Sequence, residues 1–445
     1  MSRAPEPTRT PRERVLICGV IFPDAPTEFE GELSEATALA EAAEAVVVGE
    51  GIIQRRARPH PATLMGKGKV DEIMQEVQRH DPDAVVVDND LTPAQMRNLE
   101  KAWCKRIIDR SELILDIFAR RAKTRQAKLQ VELAQNEYLV PRLRRMWTHL
   151  ERTEGAIGTR GPGETQLETD RRLLRKRITD LKGQLKEIEA RKRREVKSRS
   201  DQFTIGIVGY TNAGKSTLLN RLTRSHELVA DMPFATLDTR TRKWRMSDGR
   251  AVLLSDTVGF LQRLPHHLVA SFHATLEEAF NADLLLNVVD ASHPDASNHI
   301  RAVDSVLRSL SGVLPPEIIL FNKVDRVADP ISLQLLVQDD SKEVVYLSAH
   351  TGEGMERLEQ AVWRHLDARS EIVDILIPIA DGRTIARVRA QGAIIEEDCA
   401  VDGTLRIRAR VSLPALGSLR REAGADVDFR VVGQSAVAGA DQSGD

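Results

Sequence analysis

The sequence predicts a multidomain α/β protein. A P-loop domain with a doubly wound, mostly parallel sheet lies at its centre, preceded by a smaller α/β domain and a long helical hairpin, and followed by a small ferredoxin-like α+β domain. Three observations carry this. The stretch Thr204–Asn220, TIGIVGYTNAGKSTLLN, reads as strand, glycine loop and helix start. Short β-branched runs alternate with helical stretches between residues 14 and 110. After residue 370 six segments follow the order β-α-β-β-α-β. Length agrees, since 445 residues exceed one ordinary core and suit about three domains.

Composition narrows the class. Apolar residues make up 41% and charged residues 29%, as in soluble globular proteins. The start, MSRAPEPTRTPRER, carries charge and proline without the apolar core of a signal peptide, and no run approaches the roughly 18 apolar residues of a membrane span. A cytoplasmic protein without a membrane span is expected. Cys18, Cys104 and Cys399 are far apart, with neither metal-ligand spacing nor a disulfide framework, which fits a reducing compartment. The net charge of −2 hides an asymmetry: residues 120–199 hold 23 Lys+Arg against 11 Asp+Glu, so this segment carries +12 and the remainder −14.

Residues 1–13 read as a disordered arm, and residues 14–110 as the N-terminal α/β domain. Its strands are Val15–Phe22, Val46–Val48, Ala84–Val87 and Arg106–Ile108; its helices are Leu33–Ala45, Val70–Arg79 and Pro93–Trp103. Thr92-Pro93 fits an N-cap followed by proline at the first helical position. Leu64-Met65-Gly66-Lys67-Gly68-Lys69 precedes a helix. A lone G-x-G there reads first as a tight strand-to-helix turn and only second as a phosphate loop.

Residues 111–200 turn helical at nearly heptad spacing. The apolar positions are Leu129, Leu133, Val140, Leu143, Trp147 and Leu150, then Leu174, Ile178, Leu181, Leu185 and Ile188, predicting two long paired antiparallel helices with a kink at Pro141. Between them Thr153–Thr165 holds Gly155, Gly158, Arg160, Gly161 and Gly163. A hairpin needs only a few residues at its tip. A glycine-rich loop this long between basic helices reads as a probe for nucleic acid or a protein partner.

Residues 201–368 form the nucleotide domain. Gly209 and Gly214 let successive N–H groups of Tyr210, Thr211, Asn212 and Ala213 turn inward, and the helix starting near Lys215, Ser216 and Thr217 adds its partial positive charge. Lys215 reaches toward the β/γ phosphates and Ser216 toward Mg²⁺. A γ-phosphate sensor then needs a carboxylate and an N–H at a second strand end, supplied by Asp256-Thr257-Val258-Gly259 after Val252–Ser255. The first switch falls on Pro233-Phe234-Ala235-Thr236-Leu237-Asp238, with Thr239 and Thr241 as close competitors for the metal-binding threonine. Lys215, Thr236 and Gly259 form the expected catalytic set. The apolar strand Ile318–Phe321 ends in Asn322-Lys323-Val324-Asp325. Its final carboxylate can accept from both N1–H and the exocyclic amine of guanine, which adenine does not offer, so the nucleotide is GTP. Ser348, Ala349 and His350 follow the next strand and supply N–H groups near the guanine oxygen.

Residues 369–432 give Ile372–Ile379, Arg383–Arg389, Ala393–Val401, Leu405–Val411, Leu413–Arg420 and Val427–Val432, with Asp402-Gly403 as hairpin turn. Such sheets often bind RNA by stacking bases on aromatics, yet Phe429 is the only aromatic here, which disfavours that use. Residues 433–445 read as a disordered tail.

Taken with Gly158-Thr159-Arg160-Gly161-Pro162-Gly163-Glu164-Thr165-Gln166-Leu167-Glu168-Thr169-Asp170-Arg171-Arg172, the nucleotide loops closely resemble the bacterial HflX GTPase family, over residues 14 to about 430. The resemblance implies a monomeric ribosome-associated GTPase. Such a protein binds the large 50S subunit and its ribosomal RNA, splits stalled or idle 70S ribosomes and acts in stress recovery. On that reading Gly155, Gly158, Arg160, Gly161, Gly163, Arg171 and Arg172 meet the ribosome. Mg²⁺ sits between Ser216, Thr236 and, through water, Asp256. Family members are also credited with ATP binding through the N-terminal region, for which Gly66 and Gly68 are the places to look. Where many small GTPases carry a water-orienting glutamine, this chain has Phe260, which cannot hydrogen-bond water. Slow intrinsic turnover completed by a partner or a cation is therefore expected. Asn212 resembles the P-loop asparagine by which some related GTPases hold K⁺; loop hydrogen bonding is its other role, and both stay open. Two functional classes follow, a GTP hydrolase acting on ribosomes or a GTP-gated assembly or hibernation factor that hydrolysis merely resets. A tRNA-modifying GTPase is weaker, for want of a catalytic cysteine motif.

Overall fold

The computed structural model describes residues 12–23, 33–143, 162–197, 203–224, 240–256, 259, 282–310, 314–327, 333, 342–399, 403–424 and 426–434. These divide into two compact units, one up to Ile188 and one from Glu189.

The first unit is organised on an all-parallel sheet of β1 (Arg14–Ile21), β2 (Val46–Val47), β3 (Ile52–Arg55), β4 (Ala84–Val87) and β5 (Arg106–Asp109). β1 lies between β4 and the short pair β2 and β3, and β5 closes the far edge. The central strands are buried almost throughout, as apolar runs covered on both faces should be. Helices α1 (Ser34–Ala42), α2 (Lys67–His80), α3 (Pro93–Trp103) and α4 (Arg110–Arg121) cover the sheet, with Ile73, Met96, Leu99 and Trp103 in its main core. Thr92 caps α3 as the sequence indicates. Its hydroxyl accepts from Gln95 N at 3.3 Å, while the Gln95 side chain accepts from Thr92 N at 3.0 Å. β3 has no counterpart in the sequence reading, because Ile52–Arg55 is too short and only half buried to stand out.

The helical region opening at Ser111 starts on this sheet. α4 buries Leu113, Ile114, Ile117 and Phe118 and contacts α1, and the next helix, α5 (Arg125–Leu139), packs on α6 (Pro162–Lys197). Leu129 and Leu133 pack on Leu181 and Leu185, flanked by Ile178 and Ile188. Pro141 interrupts the first helix as expected: α5 ends at Leu139 in a 3₁₀ turn at Val140–Arg142, because proline has no N–H for the helical ladder, and Leu143 is helical again. One expectation is corrected. The loop expected to run to Thr165 is shorter, since α6 begins at Pro162, where a proline has no donor to satisfy. Trp147 and Leu150 lie outside the described residues.

The second unit holds a six-stranded sheet of β6 (Thr204–Gly209), β7 (Arg240–Arg245), β8 (Ala251–Asp256), β9 (Leu284–Asp290), β10 (Glu317–Asn322) and β11 (Glu343–Tyr346), in the order β11-β10-β9-β6-β8-β7. All pairs are parallel except the edge pair of β7 and β8. Helices α7 (Lys215–Thr223), α8 (Ala296–Leu310) and α9 (Met355–Ala368) flank it. β6 stands between β8 and β9, so its carboxyl end opens at the switch in strand order, where doubly wound sheets bind ligands.

The chain then forms an antiparallel sheet of β12 (Ser370–Pro378), β13 (Gly392–Cys399), β14 (Thr404–Ser412) and β15 (Asp428–Gln434), ordered β13-β14-β12-β15, with α10 (Gly382–Gln391) and α11 (Leu413–Glu422) between strands. Val373, Ile375, Ile377, Ile407 and Val411 form the core, and Phe429 packs against it. That contact commits Phe429 to packing, in keeping with the reading that this sheet is no base-stacking platform. Asp367 at the end of α9 accepts from Arg250 and from Arg410, each at 2.7 Å, tying the two sheets of this unit together. Among the described residues no helix is long and apolar enough to cross a membrane.

Candidate functional site

Strand β6 delivers its last residue into a conformation only glycine takes without strain. Gly209 has φ +144°, and a Cβ there would fall 2.2 Å from the Val288 carbonyl of β9. Asn212 follows at φ +60°, and Gly214 at φ +94° stands at the N-terminus of α7, where a Cβ would meet Asn322 Nδ2 at 2.2 Å. The loop between curls about the Lys215 ammonium, whose Nζ donates to the carbonyls of Gly209 at 3.0 Å and Tyr210 at 2.6 Å. Lys215 is buried. Desolvation pulls its pKa down to about 8, against the Asp256 carboxylate, which favours the charged form.

Asp256 ends β8 and is buried beside β6, in register with Ile207. Gly259 is buried close to the loop, where a Cβ would lie 2.8 Å from Thr211 Cγ2 and 3.1 Å from Lys215 Nζ. A hard divalent cation takes oxygen ligands, and the Ser216 hydroxyl in the first turn of α7 together with the Asp256 carboxylate offers such a set. Thr257, Val258, Phe260 and the first-switch residues Phe234, Ala235, Thr236, Leu237 and Asp238 lie outside the described residues.

The base-reading elements converge on the same loop. Asn322 Nδ2 donates to the Ala213 carbonyl at 2.8 Å, and Asn322 Oδ1 accepts from Ala349 N at 2.9 Å, so one buried amide joins the phosphate loop, β10 and the segment after β11. Lys323 takes φ +64° and its Nζ donates to Asp290 Oδ2 at 2.6 Å. Val324 begins a 3₁₀ turn that presents Asp325. A hydrogen bond from the Ser348 side chain holds the Asp325 carboxyl below the usual carboxylate range, so it is an acceptor at neutral pH. Ser348, Ala349 and His350 therefore stand beside Asn322 and Asp325, as their spacing suggested, although the Ala349 N–H is already engaged by Asn322.

Several contributors escaped the sequence reading. Asp290 anchors Lys323 and is itself fixed by Ser292, whose N–H and hydroxyl donate to Asp290 Oδ1 at 3.0 and 2.7 Å. His299 of α8 stacks on the Tyr210 ring at 3.7 Å between centroids. Burial, with His293 nearby, pushes the His299 pKa down to about 3, so the ring backing the phosphate loop is neutral. An aspartate at the end of β9, matching Asp256 at the end of β8, was the available signal for Asp290. No comparable pattern marked His299.

In the first unit the lone G-x-G is arranged differently. Gly66 has φ −73°, its N–H donates to Gln54 Oε1 at 2.8 Å, and α2 starts at Lys67. Of the expected ribosome contacts, Gly155, Gly158, Arg160 and Gly161 lie outside the described residues. Gly163 falls in the first turn of α6, Arg171 is half-buried and Arg172 exposed.

Three family models cover most of the chain: "GTP-binding GTPase N-terminal" over residues 30–119, "GTP-binding GTPase Middle Region" over 121–199 and "50S ribosome-binding GTPase" over 204–323. GTPase HflX of Magnetococcus marinus is 43% identical over 84% of this chain and 87% of its own length. That of Caldanaerobacter subterraneus is 41% identical over 92% and 93%, and that of Escherichia coli 42% identical over 84% and 89%. A solved GTP-binding protein of Sulfolobus solfataricus in complex with GDP is 23% identical, covers 79% of this chain and 98% of its own, and has a TM-score of 0.42. With relatives above 40% identity across more than four-fifths of its length, this chain is a GTPase and belongs to the HflX family.

Proposed function

We propose that this GTPase is a cytoplasmic, monomeric protein that docks on the 50S subunit and uses GTP to separate the subunits of stalled or idle 70S ribosomes. The observation that carries this reading is the cationic surface of α6. Arg172, Arg175 and Lys176 are exposed on a helix that follows directly from the glycine-rich segment, within the stretch carrying +12. A surface of this kind suits ribosomal RNA, where phosphate neutralisation dominates affinity. The "50S ribosome-binding GTPase" description of the model matching residues 204–323 supports the same partner. The segment 111–200 then serves as the docking arm and 201–368 as the switch. Arg160, Arg171 and Arg172 provide charge at the arm, while Gly155, Gly158, Gly161 and Gly163 permit close backbone approach.

Ser216, Thr236 and Asp256 would hold Mg²⁺, which would supply positive charge beside the phosphates, and Asn212 would be the place for K⁺. With Phe260 in place of glutamine, intrinsic turnover is slow and the ribosome or the cation completes the site. An ATP phosphate at the N-terminal domain would rest on the start of α2. Gly66 and Gly68 are the places for it, although Gln54 already accepts from the Gly66 N–H.

Cosedimentation with 30S, 50S and 70S particles under GTP analogue, GDP and no nucleotide tests the partner, and light scattering of 70S particles tests separation. Nucleotide-dependent binding to 50S with a fall in scattering is expected. Binding without subunit separation under any nucleotide would leave an assembly or hibernation factor instead.

A further inference from the structure

A residue outside the nucleotide-binding loops holds the guanine-reading segment in place. Arg221 lies on α7, the helix that the phosphate loop launches, and its guanidinium donates to the His350 carbonyl at 2.8 Å and the Thr351 carbonyl at 2.9 Å. A planar fork with several fixed donors can grip two successive carbonyls where a lysine ammonium acts as a point charge. The seat is shaped for it. Gly352 has φ +96°, and a Cβ at that position would fall 2.0 Å from Arg221 Nη2 and 2.8 Å from Cζ.

Each N–H of this segment but one can be followed to its acceptor. Leu347 donates to Phe321 O, Ser348 to Glu353 O, Thr351 to Ser348 Oγ, Gly352 to Ser348 O and Glu353 to Thr351 Oγ1. Ala349 donates to Asn322 Oδ1. The His350 N–H alone in this run donates to none of the described residues. Its peptide is bracketed, with Asn322 fixing the amide before it and Arg221 fixing the two carbonyls after it. Without Arg221 those carbonyls would be free to turn, and a carbonyl facing the keto oxygen of guanine repels it.

We propose that Arg221 is a positioning residue for guanine recognition: it holds the His350–Thr351 peptides so that the His350 N–H serves as the donor to guanine O6. The chemistry that reads this arrangement is the 6-keto group, which 2-aminopurine lacks together with N1–H while keeping the exocyclic amine recognised by Asp325, so each variant is compared with wild type on the same nucleotide. Inosine nucleotides present the converse case, keeping the keto oxygen and lacking the amine.

The test is a competition titration of the full chain with GDP, 2-aminopurine riboside 5′-diphosphate and IDP, comparing wild type with Arg221→Ala, Arg221→Lys and Gly352→Ala. Arg221→Ala should weaken GDP and IDP by roughly five- to tenfold, the worth of one hydrogen bond, and leave the 2-aminopurine nucleotide nearly unchanged. The GDP-to-IDP ratio, set by Asp325, should stay constant. Gly352→Ala, which displaces the guanidinium but keeps its charge, should reproduce the pattern, and Arg221→Lys should recover part of the loss. Equal weakening of all three nucleotides would mean general loosening of the site and overturn the proposal. Unchanged GDP affinity in both Arg221→Ala and Gly352→Ala would overturn it as well.

Discussion

Two loops of this protein look alike on paper, Gly209–Ser216 and Leu64–Lys69. Each carries glycine and lysine, and each opens a helix. In the first, Gly209 and Gly214 have positive φ and sit so close to Val288 and Asn322 that no side chain fits. In the second, Gly66 has an ordinary negative φ and its N–H is taken by Gln54, while a Cβ on Gly68 would meet nothing within 4 Å. The number of glycines therefore says little. What separates the loops is whether the backbone demands glycine and whether other elements lock onto the loop, as Asn322 does through Ala213.

The largest effect expected from that difference lies in base selection. Asp325→Asn replaces a double acceptor by a mixed donor and acceptor, so preference should move from guanine toward xanthine nucleotides by about 10⁴-fold, the scale on which a mismatched hydrogen-bonding site discriminates. Competition between GTP and xanthosine triphosphate measures it, and an unchanged guanine preference would remove Asp325 from the base site.

Next come the paired glycine substitutions. Gly214→Ala forces a Cβ against Asn322 in left-handed backbone and should weaken GTP binding by at least about 100-fold, combining strain of order 1–3 kcal/mol with the lost junction. Gly68→Ala lies in the first turn of α2 and should leave GTP binding untouched. It should raise stability by about 0.5–1 kcal/mol, because alanine loses less backbone entropy on entering a helix. Equilibrium dialysis and thermal unfolding read the two. If both glycines proved equally dispensable for GTP, the contrast between the loops would collapse.

The docking arm offers a separation of activities. Changing Arg160, Arg171 and Arg172 together to Glu should cost 50S association about 100-fold at low salt, and flatten its salt dependence, while intrinsic GTP hydrolysis stays within about twofold. Sedimentation across a salt series is the measurement. Wild-type 50S affinity in the triple variant would return the segment to a passive connection.

The smallest effect concerns protons. Lys215 is held near a pKa of about 8 with the loop closed on it, and a polyphosphate stabilises its charged form, so GTP binding should raise that pKa. Below pH 8 the lysine is already charged and affinity should be flat in pH. Above it, affinity should fall by up to tenfold per pH unit, with uptake of up to one proton. Calorimetry at pH 8.5 in buffers of different ionisation enthalpy should report that uptake, and its absence would detach Lys215 from the phosphates. No such uptake is expected from the Gly66 loop.

Many elements of both units and the use of GTP could be read from the chain, because each depends on local pattern. Periodicity marks the strands and helices, Thr92 and Pro93 mark a helix start, and the side chain of Asp325 matches guanine whatever surrounds it. Strand β3 and the helical start at Pro162 were less legible, since short half-buried strands and helix ends carry weak local signals. Only the tertiary structure decided which glycine loop becomes a nest, that Asp290 holds Lys323, that a neutral His299 backs Tyr210 and that Arg221 grips the peptides after His350. These contacts join residues between 33 and 130 positions apart. Contacts that distant leave no periodic trace in the sequence; they exist because the strand order of the sheet brings the ends of β6, β9 and β10 together.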